Sequence, residues 1–473
     1  MKKINIAILM FCFGIIQAQE TTKSLVNKEV LRILDSINKS KTSQEDLVNV
    51  MNNDSLKENN DSLKVIVENH SMKFEGMDEQ ISGMQSSLDR LSKIKISGYI
   101  QAQYETYDTW NAGVHGVIPS AGSLPITNSF SLRRARIKFT YEAVDGVTLV
   151  LCPNFEVDRV RLTDVYAQLN DRWLHTFSIW AGLFNRPTYE VEYSSASREF
   201  AERSLVTRTL YPQERDMGAK VEANFLTKFE IPLKLQFALL NGNFGIGPAV
   251  NQVKDIDNYK DVMVRAVYSF KFPSKGIAID LGGNGYFGHN AITKQTTVPA
   301  VFSDVNGDLF TPKVGDDLNK TWYGAEMQVY YDFLGGLSLK TEYISGSMTG
   351  FKATDFPTQL NPLFATNNKV RNIEGYYISL IKNIGKDHMI SFRYDEFDPN
   401  TKKSDSQVAT IDDLKFHNWT AAYQYFFNEN VKILLSYTMP INEKSSNSGI
   451  TNLDWSNRDH KDDSLTVRLQ ARF

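Results

Sequence analysis

The chain has 473 residues, with 52 Lys and Arg against 55 Asp and Glu, a net charge of -3 and a pI near 6.2. With no basic surplus to meet a polyanion, composition argues against a nucleic-acid partner. A mean hydropathy of -0.33 is ordinary for a soluble protein, yet 28 Phe, 21 Tyr and 6 Trp supply what the interfacial girdles of a membrane barrel require.

Lys2 and Lys3, the apolar run Ile4 to Ile16 and the small Ala18 predict a cleaved export signal over residues 1–18. The run is too short to cross a bilayer as a helix. Phe11 stands before Cys12 where lipidation favours a small residue, and after cleavage Cys152 alone remains, so no internal disulfide can form. No later stretch approaches a transmembrane helix. If the exported chain spans a membrane, a closed barrel is the remaining solution, because every backbone polar group must be paired.

Residues 19–95 read as a periplasmic coiled coil. Leu56, Leu63, Val67, His70, Phe74, Met77, Ile81, Met84, Leu88 and Leu91 keep a 3-4 spacing, with Asn60 in the vacant core slot. Gly76 and Gly83 each weaken the helix by about 1 kcal/mol relative to Ala, so it needs an oligomer to hold it. A single amphipathic helix is the alternative.

At Ile96 the period changes to two. Sixteen alternating segments follow, near 96–107, 130–142, 146–156, 160–170, 176–184, 218–226, 233–241, 258–272, 276–287, 320–332, 337–346, 372–384, 387–397, 414–427, 430–440 and 461–473. Most are close to the 9–11 residues that cross a bilayer at a tilt. Connections after even-numbered segments are short and those after odd ones long, the third excepted. A soluble sandwich has no reason to sort its loops by parity, whereas an outer-membrane barrel has short periplasmic turns and long outer loops. The expected fold is therefore all-β, a 16-stranded antiparallel transmembrane barrel over residues 96–473.

The faces agree with this. Trp419, Ala421, Tyr423, Tyr425 and Phe427 share one side, as do Leu465, Val467, Leu469, Ala471 and Phe473 at the end of the chain. Arg133, beside Arg134, breaks the rule and by parity belongs near a membrane interface, since a midplane charge facing lipid costs about 2–4 kcal/mol. Sixteen strands leave room for an aqueous lumen, so passive diffusion filtered by pore width and charge is the expected mechanism. The inward parity carries Arg134, Arg136, Lys138, Arg265, Arg393, Arg468 and Arg472, a set that points to a mild anion preference. It also carries acids, among them Glu105, Asp164, Glu326, Glu342 and Asp395, so a solvated wall paired across strands is the plainer reading.

The connection 185–217 is crowded with charge, including Arg186, Arg198, Glu199, Glu202, Arg203, Arg208 and Arg215, and carries Tyr189, Tyr193, Phe200 and Leu205. Folding into the lumen as a constriction satisfies both characters, with an outer-surface loop as the alternative. No HExxH or Ser-His-acid group suggests an enzyme, and neither metal nor cofactor is implied. Asp304, Asn306 and Asp308 have the look of a Ca²⁺ loop, but the glycine position of an EF-hand is taken by Leu309. An energised transporter is disfavoured, because residues 19–95 do not make a globular plug.

Phe130–Glu142 (FSLRRARIKFTYE), Ala181–Ser204 (AGLFNRPTYEVEYSSASREFAERS) and Pro212–Ala219 (PQERDMGA) resemble the phosphate-selective porin O and P family, most closely its Bacteroidota-type members with an N-terminal coiled coil. The resemblance is clearest over 96–226. It implies a homotrimer of outer-membrane barrels, with 185–217 as constriction loop and phosphate or polyphosphate moving along lumenal Arg and Lys. Arg134, Arg136 and Lys138 match the family's basic strand, and Arg198 and Arg203 fall in its constriction segment. Interleaved acids depart from that pattern. Phe473 resembles the terminal aromatic of such barrels, and the coiled coil would lie in the periplasm, where it could reach peptidoglycan. A general, non-selective porin that tethers the outer membrane to the cell wall is the alternative function.

Overall fold

The computed structural model describes residues 92–108, 126–157, 159–211, 214–242, 258–291, 302–349, 370–408, 413–446 and 462–473, with a few isolated positions before residue 92. The expected signal over 1–18 and nearly all of the expected coiled coil over 19–95 lie outside them.

Alternation fixes the architecture. Sixteen antiparallel strands close into one barrel: β1 (Ile94–Tyr107), β2 (Asn128–Val144), β3 (Val147–Phe155), β4 (Val160–Asn170), β5 (Phe177–Asn185), β6 (Arg215–Asn224), β7 (Leu233–Leu240), β8 (Asp261–Phe272), β9 (Ile277–Ala291), β10 (Asp317–Tyr331), β11 (Leu337–Thr349), β12 (Val370–Ile384), β13 (His388–Asp398), β14 (Phe416–Phe426), β15 (Val431–Asn442) and β16 (Ser464–Arg472). Each segment expected from the two-residue period is a strand, and each pairs with its sequence neighbours. A two-residue Asp145-Gly146 turn joins β2 to β3, with Gly146 at φ +76°, where side chains are strained. A small hairpin, Phe302–Ser303 with Leu309–Phe310, lies between β9 and β10. Asp304 there accepts the backbone N–H groups of Asn306 and Asp308, so its carboxylate closes a turn.

The surface is inverted relative to a soluble protein. Leu151, Ile179, Phe237, Leu281, Ile378, Phe392, Leu435 and Leu469 are exposed, while Arg134, Lys220, Arg265, Lys320, Glu326, Arg393 and Arg468 are buried. An apolar outside and a charged inside, on every side of a closed sheet, is what a hydrocarbon solvent demands.

Strict alternation is interrupted at register shifts between β1 and β2, β2 and β3, and β3 and β4, the first of which bears on the lumen. Gln101 faces Arg134 while Ala102 faces Leu132, so Arg133 is the extra residue of a β-bulge. The bulge turns Arg133 inward beside Arg134, where its guanidinium grips both oxygens of Glu202 at 2.8 Å. The interfacial position expected for Arg133 from parity is thus wrong, because parity holds only where each residue opposes one partner.

The barrel closes between β1 and β16, and Phe473 and Gly98 exchange backbone hydrogen bonds of 3.0 Å. A Cβ at Gly98 would sit 2.4 Å from the Arg136 carbonyl oxygen and 2.6 Å from the Phe473 ring, so only glycine allows this seam. Gly98→Val should cost at least the 1–3 kcal/mol typical of overpacking. It should reduce the fraction of chain that refolds to the compact, heat-modifiable band on a denaturing gel, whereas Ala102→Val on the same face should not.

Candidate functional site

The ladder between β5 and β6 ends at Asn185 and Arg215, and residues 186–211 fold into the lumen. The segment's apolar residues drive this. Thr188 precedes a short helix α1 (Tyr189–Glu192), and Ser204 caps α2 (Leu205–Leu210) by accepting from the Thr207 N–H. Val191, Val206, Leu210 and Tyr211 join Phe184 against Leu240, Met263, Tyr286, Trp322, Ile344, Ile373 and Phe397 of the inner wall. Gly375 makes the room, since a Cβ there would meet Val206 at 2.7 Å. Each of these loop side chains contributes about 1.5–3 kcal/mol on burial, enough to hold the segment inside.

From that anchor the loop crosses to the far wall, where strand side chains hold its backbone. Gln424 donates to the carbonyls of Arg198 and Glu199 at 2.9 and 2.8 Å, Arg468 to that of Ala201 at 2.7 Å, and Gln470 to that of Ala196 at 2.8 Å. Arg393 donates to the carbonyls of Glu202 and Arg203 at 3.0 and 3.3 Å and pairs with Asp395 at 2.6 Å.

Carboxylates of the loop neutralise cations of the wall. Glu202 pairs with Arg133 and with Arg468, 3.2 Å away. Glu199 takes Lys340 at 2.7 Å, and Glu192 takes Lys220 at 3.3 Å and Arg265 at 2.9 Å, Arg265 also holding Glu326 at 2.6 Å. At the base of the loop, Glu214 gathers Arg203 at 2.8 Å, Arg198 at 3.0 Å and Arg215 at 3.3 Å, while Arg215 also binds Asp164 at 2.7 Å. Arg186, fully buried, pairs with Asp216 at 2.6 Å. Burial alone would raise Glu214, but the Arg203 and Arg198 guanidiniums hold it well below the usual carboxylate range. Glu202, likewise opposed by burial, is held low chiefly by Arg133.

The residues expected from sequence thus separate into groups. Arg265, Arg393 and Arg468 are engaged by carboxylates or loop carbonyls. Arg208 is half-buried on α2 near Glu202 and Asp395, and Arg472 is exposed at the end of β16. Lys138 is half-buried on β2 opposite Ser97. Arg134 and Arg136, like Lys138, Arg208 and Arg472, have no carboxylate ion pair among the described residues, and the first two lie together on β2 beside the loop. Arg134 is buried and donates to Gln101 at 3.2 Å, and Arg136 donates to Asn154 and to the Ser195 hydroxyl, each at 3.2 Å. Tyr99 shares that hydroxyl at 2.6 Å, with the Arg136 guanidinium over its ring at 5.9 Å. Arg198 adds to the same field: burial, with Arg203 beside it, pulls it down to about 10, and its buried Nε and Nη1 lack hydrogen-bond partners.

Tyr99, Arg133 and Ser195 are the members of this cluster that sequence reading missed. Two adjacent arginines in a strand with one lipid-facing side were the available signal for a bulge. Nothing local marks Ser195, which reaches β1 and β2 only through the fold.

Glu214→Gln should leave the buried Arg198 and Arg203 without their carboxylate, while Arg215 keeps Asp164, and cost about 3–5 kcal/mol, read as a lower thermal midpoint and new protease cleavage within 186–214. The pH dependence has a definite sign. Glu202 and Glu214 have folded-state values below their ordinary 4.5, so their contribution is complete above that pH and is lost as pH falls through the lower values. Through these two groups the thermal midpoint should therefore drop below about pH 4.

No known protein family matches the chain, and no curated protein does. Solved structures similar to it include the outer membrane channel DcaP of Acinetobacter baumannii, at 10% identity over 80% of this chain and 97% of that one, with a TM-score of 0.49. An anion-selective porin from Comamonas acidovorans is similar at 11% identity, over 80% and 99%, with a TM-score of 0.48. OmpT, an outer membrane protein of Vibrio cholerae, is similar at 9% identity, over 80% and 97%, with a TM-score of 0.46.

Proposed function

We propose that the protein is an outer-membrane porin through which small hydrophilic solutes diffuse, with a mild preference for anions. One observation carries this reading: a closed sheet of sixteen strands exposes apolar side chains outward and buries charged ones inward. The long-loop, short-turn alternation around the barrel supports insertion with the short turns in the periplasm. The charged loop spanning the lumen is the constriction.

The preference for anions rests on Arg134, Arg136 and Arg198. Their guanidiniums crowd one side of the loop with fewer carboxylates than cations, and an oxyanion passing there relieves the repulsion. Arg265, Arg393 and Arg468 are already compensated, which favours weak selection over strict phosphate selectivity. A general porin is the second reading, favoured by that same compensation. The coiled coil of residues 19–95 serves a homotrimer and reaches toward peptidoglycan, and its deletion should leave conductance intact while weakening attachment to the cell wall.

The reversal potential of the full chain in a planar bilayer under a KCl gradient tests the preference. It should have the sign of modest anion selectivity, and Arg134→Glu with Arg136→Glu should move it toward cations. Inorganic phosphate should partly block the wild-type current. A cation-selective wild type would overturn the anion reading, and an absence of phosphate block would leave a general pore.

A further inference from the structure

The lumen has a second face with a different chemistry. On β4 and β5, Tyr166 and Trp180 stack with centroids 4.7 Å apart and planes at 22°, both half-buried and directed inward. The Lys220 ammonium lies 3.8 Å above the Trp180 ring and 3.3 Å from Glu192. Beyond Glu192, Tyr193 and Tyr189 stack at 5.9 Å and 20°, with Lys340 4.1 Å from the Tyr193 ring. These two tyrosines form one side of a cavity of about 390 Å³, bounded elsewhere by Glu192, Lys234, Asp280 and Gln328.

The charges here are matched. Lys234 lies 3.3 Å from Glu222 and 3.6 Å from Glu192, and Lys220 and Arg265 also hold Glu192. The lining itself carries Lys234, Arg265 and Lys271 against Glu192 and Asp280, and the adjoining Glu222 and Glu326, which pair with Lys234 and Arg265, offset that cationic charge. The cavity offers carboxylate acceptors and ammonium or amide donors side by side, next to flat apolar rings. A pyranose presents the complement: hydroxyls that both donate and accept, and a C–H face that stacks on an aromatic ring. The cavity lies within the size range of small-molecule sites.

We propose that the Tyr189–Tyr193 cavity is a binding site for neutral sugars, separate from the Arg134–Arg136–Arg198 cluster, with Trp180, packed between Tyr166 and Lys220, as its neighbour through the Lys220–Glu192 pair. It rests on the pore reading only for the solute's access. Matched ion pairs bind the hydroxyls without favouring either sign of charge, and the rings hold the sugar's apolar face.

Maltotriose is the probe. Added to the full chain in a planar bilayer, it should interrupt the ion current in proportion to concentration. Tyr193→Ala should raise the half-blocking concentration about tenfold and Tyr193→Phe by less than about twofold, while equimolar phosphate should not relieve the block. In detergent micelles, maltotriose should shift the tryptophan fluorescence of the wild type, and Trp180→Phe should abolish the shift. Current without sugar block or fluorescence change would overturn the site and leave the pore. A fluorescence titration without any current would leave the site and overturn the pore. Equal block in wild type and Tyr193→Ala would overturn the role of the rings.

Discussion

The constraint on which the rest depends is charge compensation across the lumen. A strand with one face in lipid must send its polar residues inward, and sixteen such strands concentrate many cations in a narrow space. Arg265, Arg393, Arg468 and Lys340 cannot all be satisfied by their strand neighbours. The segment from Arg186 to Glu214 supplies what is missing, carrying Glu190, Glu192, Glu199, Glu202 and Glu214 to the wall together with a run of backbone carbonyls. Loop and wall are therefore one electrostatic unit. Removing a carboxylate from either leaves buried guanidiniums without a counterion, which costs more than the pair itself contributes.

Compensation is not uniform, and its unevenness gives the lumen two faces. Around β1 and β2 the acids are sparse, Arg134 and Arg136 rest on neutral amides and hydroxyls, and the field is positive. Around β6 to β11 the cations are matched by Glu192, Glu199, Glu222 and Glu326, and aromatic rings line the gaps between pairs. The lumen thus has a cationic wall on one side and a hydrogen-bonding, aromatic wall of paired charges on the other. The apolar docking of α2 separates them, since it fixes where the loop crosses.

Legibility followed the range of the interaction. Strands were readable because alternation is local: a residue's face follows from its neighbours two places away. The charged character of 186–214 was readable for the same reason. Arg133 was misread because a bulge arises from a register shift opposite Gln101 and Ala102 on another strand, and the neighbouring Arg134 was its one local sign. The hydroxyl of Ser195 and the ring of Trp180 looked like loop and strand filler, since their roles come from Arg136 and Lys220.

By itself, then, the sequence determined a two-sided sheet of sixteen segments with loops sorted by parity, because hydrophobic periodicity and chain length act within single strands. Only the tertiary structure decided which cations keep a free charge. Arg134 and Arg468 have the same parity and the same chemistry in sequence, yet one donates to a neutral amide and the other is held by Glu202 and the Ala201 carbonyl. The difference arises from where a loop anchored by Val206, Leu210 and Tyr211 happens to cross, and Coulomb energy depends on distance through space, not along the chain.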